Sequence, residues 1–434
     1  MRMFGTMRSN NGILEIGGVS VKEIAEKFET PVYIYDVQHI EDNVKKYKNG
    51  FKSSKFETEI VYASKAFLSK AICQIMKKYD LHMDAVSGGE IYAITQSDFP
   101  SEKIHVHGNN KTLKELNMCF DLNIGSIIAD NMDEVKKISK MCDEKNKKMK
   151  VSLRVNTGIE AHTHEYIKTS KHSSKFGESI FDDSVEKVIQ EILKNEKIEF
   201  TGFHCHIGSQ IFDTTAFLEG IKVMVKYTKY ISEKFKINIP EINLGGGFGV
   251  YYTEEDVEID IEAFTKEMIK CLEETLDEEK MTIEKIIIEP GRSIIANAGS
   301  TVYTIGGEKT TFTGEKYLFI DGGMTDNMRP ALYQAKYEAA IANKMDDELT
   351  EEVIVAGKCC ESGDLIVKNV KVAKAEIGDL IITPTTGAYG YSMSNNYNKI
   401  ERPAVIFVKD GKSQVAVKRE TYESMIKDDL FIEI

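Results

Sequence analysis

Lys65 stands at the end of a short apolar run, in Val61-Tyr-Ala-Ser-Lys-Ala-Phe67. An amine buried at the end of a strand loses proton affinity and gains nucleophilicity, and such a lysine can hold an aldehyde cofactor as a Schiff base. Taken alone, it could equally snorkel to solvent. Two further segments suggest an anion beside it: Gly245-Gly-Gly-Phe-Gly249, and Gly291 followed by Arg292. The backbone N–H groups of Gly245, Gly246 and Gly247 can close on a phosphate because no Cβ stands in the way, and the Ser209 hydroxyl can join them. A triple glycine by itself could be no more than a tight turn. Glu289 completes the set, since a carboxylate beside a pyridine nitrogen keeps that nitrogen protonated and makes pyridoxal phosphate an electron sink. Without the lysine and the phosphate loops, an ion-pairing or helix-capping role would explain Glu289 as well.

The histidines offer a rival chemistry. His105/His107, His162/His164 and His204/His206 are His-x-His pairs, and residues two apart on a strand share a face, as in metal-dependent barrel hydrolases. Hydrogen-bonded or stacking rings explain the same spacing, and His206, close to Gly208 and Ser209, is well placed to stack on a flat cofactor. Near the C-terminus, Gly357-Lys-Cys-Cys-Glu-Ser-Gly-Asp364 offers a thiol that could protonate a carbanion and a glutamate that could hold an ammonium group. A buried pair of small apolar residues in a turn fits that octet equally well.

These groups need elements to position them. Eight apolar runs precede the polar clusters: Ile60 to Ala63, Met83 to Val86, Ile104 to Val106, Ser126 to Ala129, Val151 to Val155, Phe200 to Phe203, Glu241 to Leu244 and Lys285 to Ile288. Amphipathic Lys/Glu-rich stretches with helical spacing separate many of them, among them Ser69 to Tyr79 and Met132 to Lys148. Strand-helix alternation predicts a parallel sheet, and eight strands predict a closed barrel whose catalytic loops share one mouth. Barrel phosphate sites commonly follow the seventh and eighth strands, where the glycine run and Gly291-Arg292 fall. Beyond Arg292 the pattern becomes short alternating segments, at 301–305, 316–320, 352–356, 379–383 and 404–409, which predict an antiparallel β domain. The expected fold is therefore α/β: a (β/α)8 TIM-type barrel over residues 36–293. Residues 294–434 form the C-terminal antiparallel β domain, joined by the N-terminal strand within 1–35.

Composition narrows the classes further. The 434 residues exceed one ordinary barrel, and the net charge of -13 argues against nucleic acid or an anionic membrane as partner. No stretch approaches the ~18 apolar residues of a membrane span, and the N-terminus lacks a signal-peptide core. Seven scattered cysteines without a Cys-x-x-Cys pair suggest reduced thiols and a cytoplasmic protein. Only seven of the 56 basic residues are arginine, so Arg292 and Arg329 stand out as candidates for planar, two-pronged recognition of a carboxylate.

Together these motifs resemble the diaminopimelate decarboxylase family, within the alanine-racemase-like, barrel-type pyridoxal-phosphate enzymes. The likeness runs nearly end to end, through Tyr62-Ala-Ser-Lys-Ala66, Asp84 to Glu90, His107 to Lys111, His162 to Tyr166 with Ser174 to Gly177, and His204 to Gln210. It continues through Gly245 to Gly249, Glu289 to Ser293, Cys360 to Asp364 and Gly387-Ala-Tyr389. The resemblance implies that Lys65 carries the cofactor, that His206 stacks on its ring and that Glu289 partners its nitrogen. It places the phosphate on Ser209, Gly245, Gly246, Gly247, the Gly291-Arg292 backbone and Tyr389. It assigns substrate contacts to Arg292, Arg329, Tyr333, Glu361 and Tyr389, and makes Cys360 the proton donor. It further implies a homodimer with shared active sites, Cys360 and Glu361 reaching the neighbouring subunit's pocket. Three positions depart from the family's usual residues: Phe67 replaces asparagine, Ser170 replaces glycine, and Cys359 doubles the thiol.

The implied reaction removes the carboxylate from the D-configured end of meso-2,6-diaminopimelate, the last step of lysine biosynthesis. Rivals in the same group are decarboxylases of ornithine, arginine or carboxynorspermidine, which should lack the Arg329/Glu361 pairing, and a racemase, which should carry a basic residue in place of Glu289. Outside the group stand a metal-dependent barrel hydrolase and a catalytically silent paralogue. The site predicted here contains no metal.

Overall fold

A computed structural model describes residues 1–159 and 174–433. The His162/His164 pair and Ser170 lie outside the described residues. Two compact units divide the chain: residues 44–249 with 258–291, and residues 1–43 with 250–257 and 292–434. Residues 36–43 and 250–257 thus cluster with the second unit.

The first unit is a closed parallel barrel. Its strands are Glu57–Tyr62, His82–Ala85, Ile104–Val106, Ser126–Ala129, Met149–Asn156, Ile198–His204, Glu241–Asn243 and Lys285–Ile288. Each pairs in parallel with the next, and the eighth pairs with the first through Lys285↔Glu57 to Ile288↔Ile60, which closes the ring. Strands buried on both faces read as unbroken apolar runs. Three of the eight, Ile104–Val106, Ser126–Ala129 and Lys285–Ile288, begin and end where the sequence predicts.

Helices follow the strands, and most start at side-chain caps, where a short oxygen satisfies an otherwise unpaired N–H of the first turn. Ser69 caps Lys70–Lys78, Ser87 caps Gly88–Thr95, and Thr112 forms a capping box with Glu115 at Leu113–Asp121. Because each cap ends a strand-to-helix loop, the caps fix where the loops at the C-terminal ends of the strands turn. Among the described residues no helix is long and apolar enough to cross a membrane.

In the second unit, Val32–Asp36 joins Gly299–Thr310, Lys316–Ile320, Leu349–Ala356, Leu365–Ala373, Leu380–Thr383, Ala404–Lys409 and Lys412–Val417 in one sheet system. The N-terminal strand therefore belongs to the β unit, pairing Val32 to Tyr35 with Gly299 to Val302. Pairings are antiparallel except two, Lys316–Ile320 with Leu349–Ala356 and Val32–Asp36 with Ala404–Lys409, which run parallel. Both parallel pairs join segments far apart in the chain, as a crossover requires. The core of this unit gathers Leu14, Ile16, Val32, Ile34, Val302, Ile382, Ile406 and Val408.

Candidate active site

Three residues that follow or end barrel strands converge on one carboxylate. Glu289, directly after the eighth strand, is 8% exposed. Its Oε1 accepts from His107 Nε2 at 2.9 Å and from Asn243 Nδ2 at 2.8 Å, and its Oε2 accepts from His204 Nε2 at 3.1 Å. Burial opposes ionisation of Glu289, but the two imidazoles and their hydrogen bonds hold it well below the usual carboxylate range. Burial in turn lowers His107 to about 4, against the pull of Glu289, so the ring is neutral and carries its proton on Nε2. The result is a buried, ionised carboxylate aimed by three fixed donors. Asn243 also accepts the Gly245 N–H at 2.9 Å, so a single amide fixes both the glycine turn and Glu289.

The glycines are required sterically. A Cβ on Gly246 would lie 2.1 Å from the Glu289 carbonyl oxygen, and Gly245 at φ +68 would press one to 2.3 Å from the Cys205 carbonyl. Their N–H groups, however, are not all available to an anion, as the sequence suggested. Gly245 donates to Asn243, and Gly246 donates to His206 Nδ1 at 3.3 Å. The hydrogen bond from Gly246 orients the His206 ring and leaves its proton on Nε2. The loops after the sixth and seventh strands are also stitched together, by Ile211 N–H to Gly247 O and Gly249 N–H to Ile211 O, both 2.9 Å. Ser209 lies half-buried in the first of these loops, and Gly291 packs against Ala63.

Lys65 occupies the single turn Ser64–Ala66 after the first strand. Ser64 and Ala66 are buried, and Ser64 N–H donates to Asp84 Oδ1 at 2.6 Å, which pins the turn to the second strand. The expectation of a buried lysine fails, because Lys65 itself is exposed. Its charge still acts on Asp84, Glu90 and His206, so the amine shares their neighbourhood. Burial, and then the nearby Glu289, raise Asp84 well above its ordinary value.

The second unit holds a cationic cluster of its own. Arg292 and Arg329 are both 8% exposed. Arg292 Nη1 donates to Tyr252 Oη and Arg329 Nη1 to Tyr337 Oη, each at 2.6 Å. The Tyr389 ring lies under both guanidinium groups, at 4.7 Å from Arg292 and 6.0 Å from Arg329, within cation–π range. Tyr389 has φ +61, a backbone state costly for a bulky residue and retained where surroundings enforce it. Burial opposes ionisation of Tyr252, but Arg292 and Arg329 hold its phenol below the ordinary value. The sequence reading missed Tyr337, the partner of Arg329, and Tyr252, the partner of Arg292; Tyr333 ends the short helix that begins at Arg329.

The two adjacent thiols differ. Cys359 is buried, with its N–H bonded to Asp364 Oδ2 at 2.8 Å, and burial followed by Asp364 pushes its thiol up to about 11. Cys360 is exposed, its N–H held by Asn398 Oδ1 at 2.9 Å, and Glu361 is exposed beside it.

The barrel cluster makes stability sensitive to acid. His107, His204 and His206 are all lowered from an ordinary 6.5 by burial. At these three positions the unfolded chain therefore takes up protons between pH 6.5 and about 4 that the folded chain refuses, so their contribution to stability falls as pH falls through that window. Raised carboxyls, Asp84 in the cluster and Asp326 at about 7 elsewhere, work in the opposite direction.

Comparison with known proteins bears on both clusters. A family model described as pyridoxal-dependent decarboxylase, pyridoxal binding domain, matches residues 37–296. The chain is similar to the diaminopimelate decarboxylase of Bacillus subtilis (strain 168), 44% identical over 431 residues, covering 99% of this chain and 98% of that protein. It is 45% identical over 421 residues to that of Bacillus methanolicus, covering 97% of this chain and 98% of the other. Among solved structures it resembles the diaminopimelate decarboxylase from M. jannaschii in co-complex with L-lysine, with a TM-score of 0.91, 32% identity and 98% of each chain covered.

Proposed function

The chain belongs to the diaminopimelate decarboxylase family of pyridoxal-dependent decarboxylases, and from that premise we propose how its residues divide the reaction. The enzyme decarboxylates meso-2,6-diaminopimelate to L-lysine and carbon dioxide. The observation that carries the assignment of roles is the carboxylate of Glu289, buried yet ionised and held by His107, His204 and Asn243. A racemase of the same group was expected to place a base there.

The cofactor is pyridoxal 5'-phosphate, and these residues fit it. Lys65 offers an accessible amine, Glu289 a fixed anion for a ring nitrogen, and His206 a ring locked by Gly246 for stacking. Ser209, Gly247, the Gly291-Arg292 backbone and Tyr389 would hold its phosphate, while Gly245 and Gly246 provide closeness more than donors. When bound, this group supplies the electron sink for the pair left behind by the departing carboxylate. Glu289, ionised and fixed, would hold a proton on the nitrogen of that ring. Cys360, with its exposed thiol, would deliver a proton to the α-carbon that loses the carboxylate, and Lys65 would be the amine that anchors the cofactor.

Specificity rests on the far end of the substrate. Arg329 has tyrosine as its hydrogen-bond partner and no carboxylate partner among the described residues. It takes the distal carboxylate with Arg292, Tyr333 and Tyr389 alongside, and Glu361 takes the distal ammonium. A substrate without that carboxylate leaves a buried guanidinium unpaired, at a cost of ~3 to 5 kcal/mol. At ~1.4 kcal/mol per decade this is roughly a hundredfold to several thousandfold discrimination against lysine or ornithine. The test is carbon dioxide release from meso-diaminopimelate, its L,L isomer, lysine, ornithine and arginine in parallel. The meso isomer should lead by about that margin; comparable rates with ornithine or arginine reject the assignment.

The active unit is a homodimer in which Cys360 and Glu361 serve the neighbouring subunit's site. Replacing Cys360 by alanine should slow turnover on the order of 10² to 10⁴-fold, the range for a lost general acid. Replacing the buried Cys359 should change it little. Lys65→Ala and Cys360→Ala chains, each inactive alone, should regain about a quarter of wild-type activity when unfolded together and refolded, because half the dimers are mixed and each has one intact site. No recovery contradicts shared sites.

A further inference from the structure

A second cluster of titratable groups inside the barrel takes no part in this chemistry. Lys65, His107 and Glu289 follow the C-terminal ends of their strands, whereas this cluster lies toward the N-terminal ends. Glu59 is the third residue of the first strand, His82 opens the second, and His105 is the second residue of the third. Ser126, Glu241 and Lys285 open the fourth, seventh and eighth strands. Residues two apart point to the same face, so His105 and His107 occupy successive layers of the barrel interior. His107 reaches Glu289, and His105 reaches Glu59.

Three atoms meet there. Glu59 Oε1 lies 2.9 Å from His105 Nε2 and 3.2 Å from His82 Nδ1, and the two nitrogens are 3.0 Å apart. Glu59 is 6% exposed, and its buried Oε1 is aligned for a hydrogen bond with neither imidazole. Protons alone serve this triangle badly. If both rings carry N–H toward it, two protons face each other across 3.0 Å; if only one does, a nitrogen lone pair faces a carboxylate. A single cation would use all three lone pairs. Taking Zn–N and Zn–O distances of about 2.0 to 2.1 Å, an ion equidistant from the three corners sits ~1 Å above their plane, leaving a fourth tetrahedral position open.

We propose that Glu59, His82 and His105 form a binding site for a divalent transition ion of the zinc type, tying the first three barrel strands together at their N-terminal ends. Surrounding groups support these ligand roles. Ser126 Oγ lies 2.8 Å from His105 Nδ1, and as acceptor of that ring's proton it leaves Nε2 free to ligate. Lys285 Nζ holds the other carboxylate oxygen, Oε2, at 3.0 Å and is itself 3.4 Å from Glu241, so Oε1 remains the single ligand oxygen and the lysine charge is offset. His82 and Lys285 are 20% and 22% exposed, which gives an ion a path from solvent.

Equilibrium dialysis of the pyridoxal-loaded enzyme against Zn²⁺, with metal counted by atomic emission, tests the site. Wild type should retain one more zinc per chain than either His82→Asn or Glu59→Gln; equal stoichiometry in all three overturns the proposal. Should either variant fail to fold, zinc-edge anomalous diffraction from wild-type crystals carrying one equivalent of zinc decides. A peak between Glu59, His82 and His105 is expected, and a peak elsewhere, at Glu289 or at a thiol, overturns it. The outcome is independent of the decarboxylase assignment, which rests on other residues.

Discussion

Replacing Lys65 by alanine is expected to abolish the yellow colour of the purified enzyme and to lower turnover on the order of 10³-fold or more, at least about 4 kcal/mol of barrier. The fold should survive, because the side chain is exposed while the turn that carries it is anchored by buried Ser64 and Ala66 and by the Ser64 N–H to Asp84 bond. The variant therefore separates chemistry from folding: unchanged circular dichroism with lost absorbance and lost carbon dioxide release. A Lys65→Ala enzyme that stays yellow and active would remove the amine from its assigned role.

Glu289→Gln comes next in size. The substitution keeps the shape and removes the charge that holds a proton on the ring nitrogen, so turnover should fall on the order of 10² to 10³-fold, the scale of a lost preorganised electrostatic contact. Proton accounting predicts that it still folds. One oxygen of Glu289 accepts from both His107 and Asn243, and the other accepts only from His204. Glutamine can leave its carbonyl toward the first pair and turn its NH₂ to His204. His204 can then move its proton to Nδ1, which has no hydrogen bond among the described residues. Glu289→Ala differs, because it strands three buried donors at ~1 to 3 kcal/mol each and should lower stability as well as activity. Comparing kcat and urea midpoints of the two variants checks this; wild-type turnover in Glu289→Gln contradicts it.

What could be read from the sequence follows the range of the interactions involved. Barrel strands were legible because burial on both faces leaves unbroken apolar runs, and three of them match to the residue. Motif residues were legible by type, but their partners were not. Glu289 and His107 are 182 positions apart, and nothing local in either segment encodes their hydrogen bond. Asn243 was missed for the same reason, although it lies directly before the Leu244-Gly245 turn that was recognised. Tyr337 was not legible as the hydroxyl at Arg329, because the helix that begins at Arg329 ends at Tyr333 and the chain turns at Gln334, φ 53, before Tyr337 returns to it. Glycine spacing correctly signals close backbone approach, yet it could not show that two of the N–H groups are already bonded to Asn243 and His206. The two parallel pairings of the β unit escaped an alternation pattern that reports burial and not strand direction.

The central claim is that Lys65 alone carries the cofactor, and borohydride reduction of the pyridoxal-loaded enzyme followed by peptide mass mapping tests it most directly. One pyridoxyl group per chain is expected, on the peptide containing Ser64-Lys65-Ala66. A label on any of the other 48 lysines, or no label at all, contradicts the account.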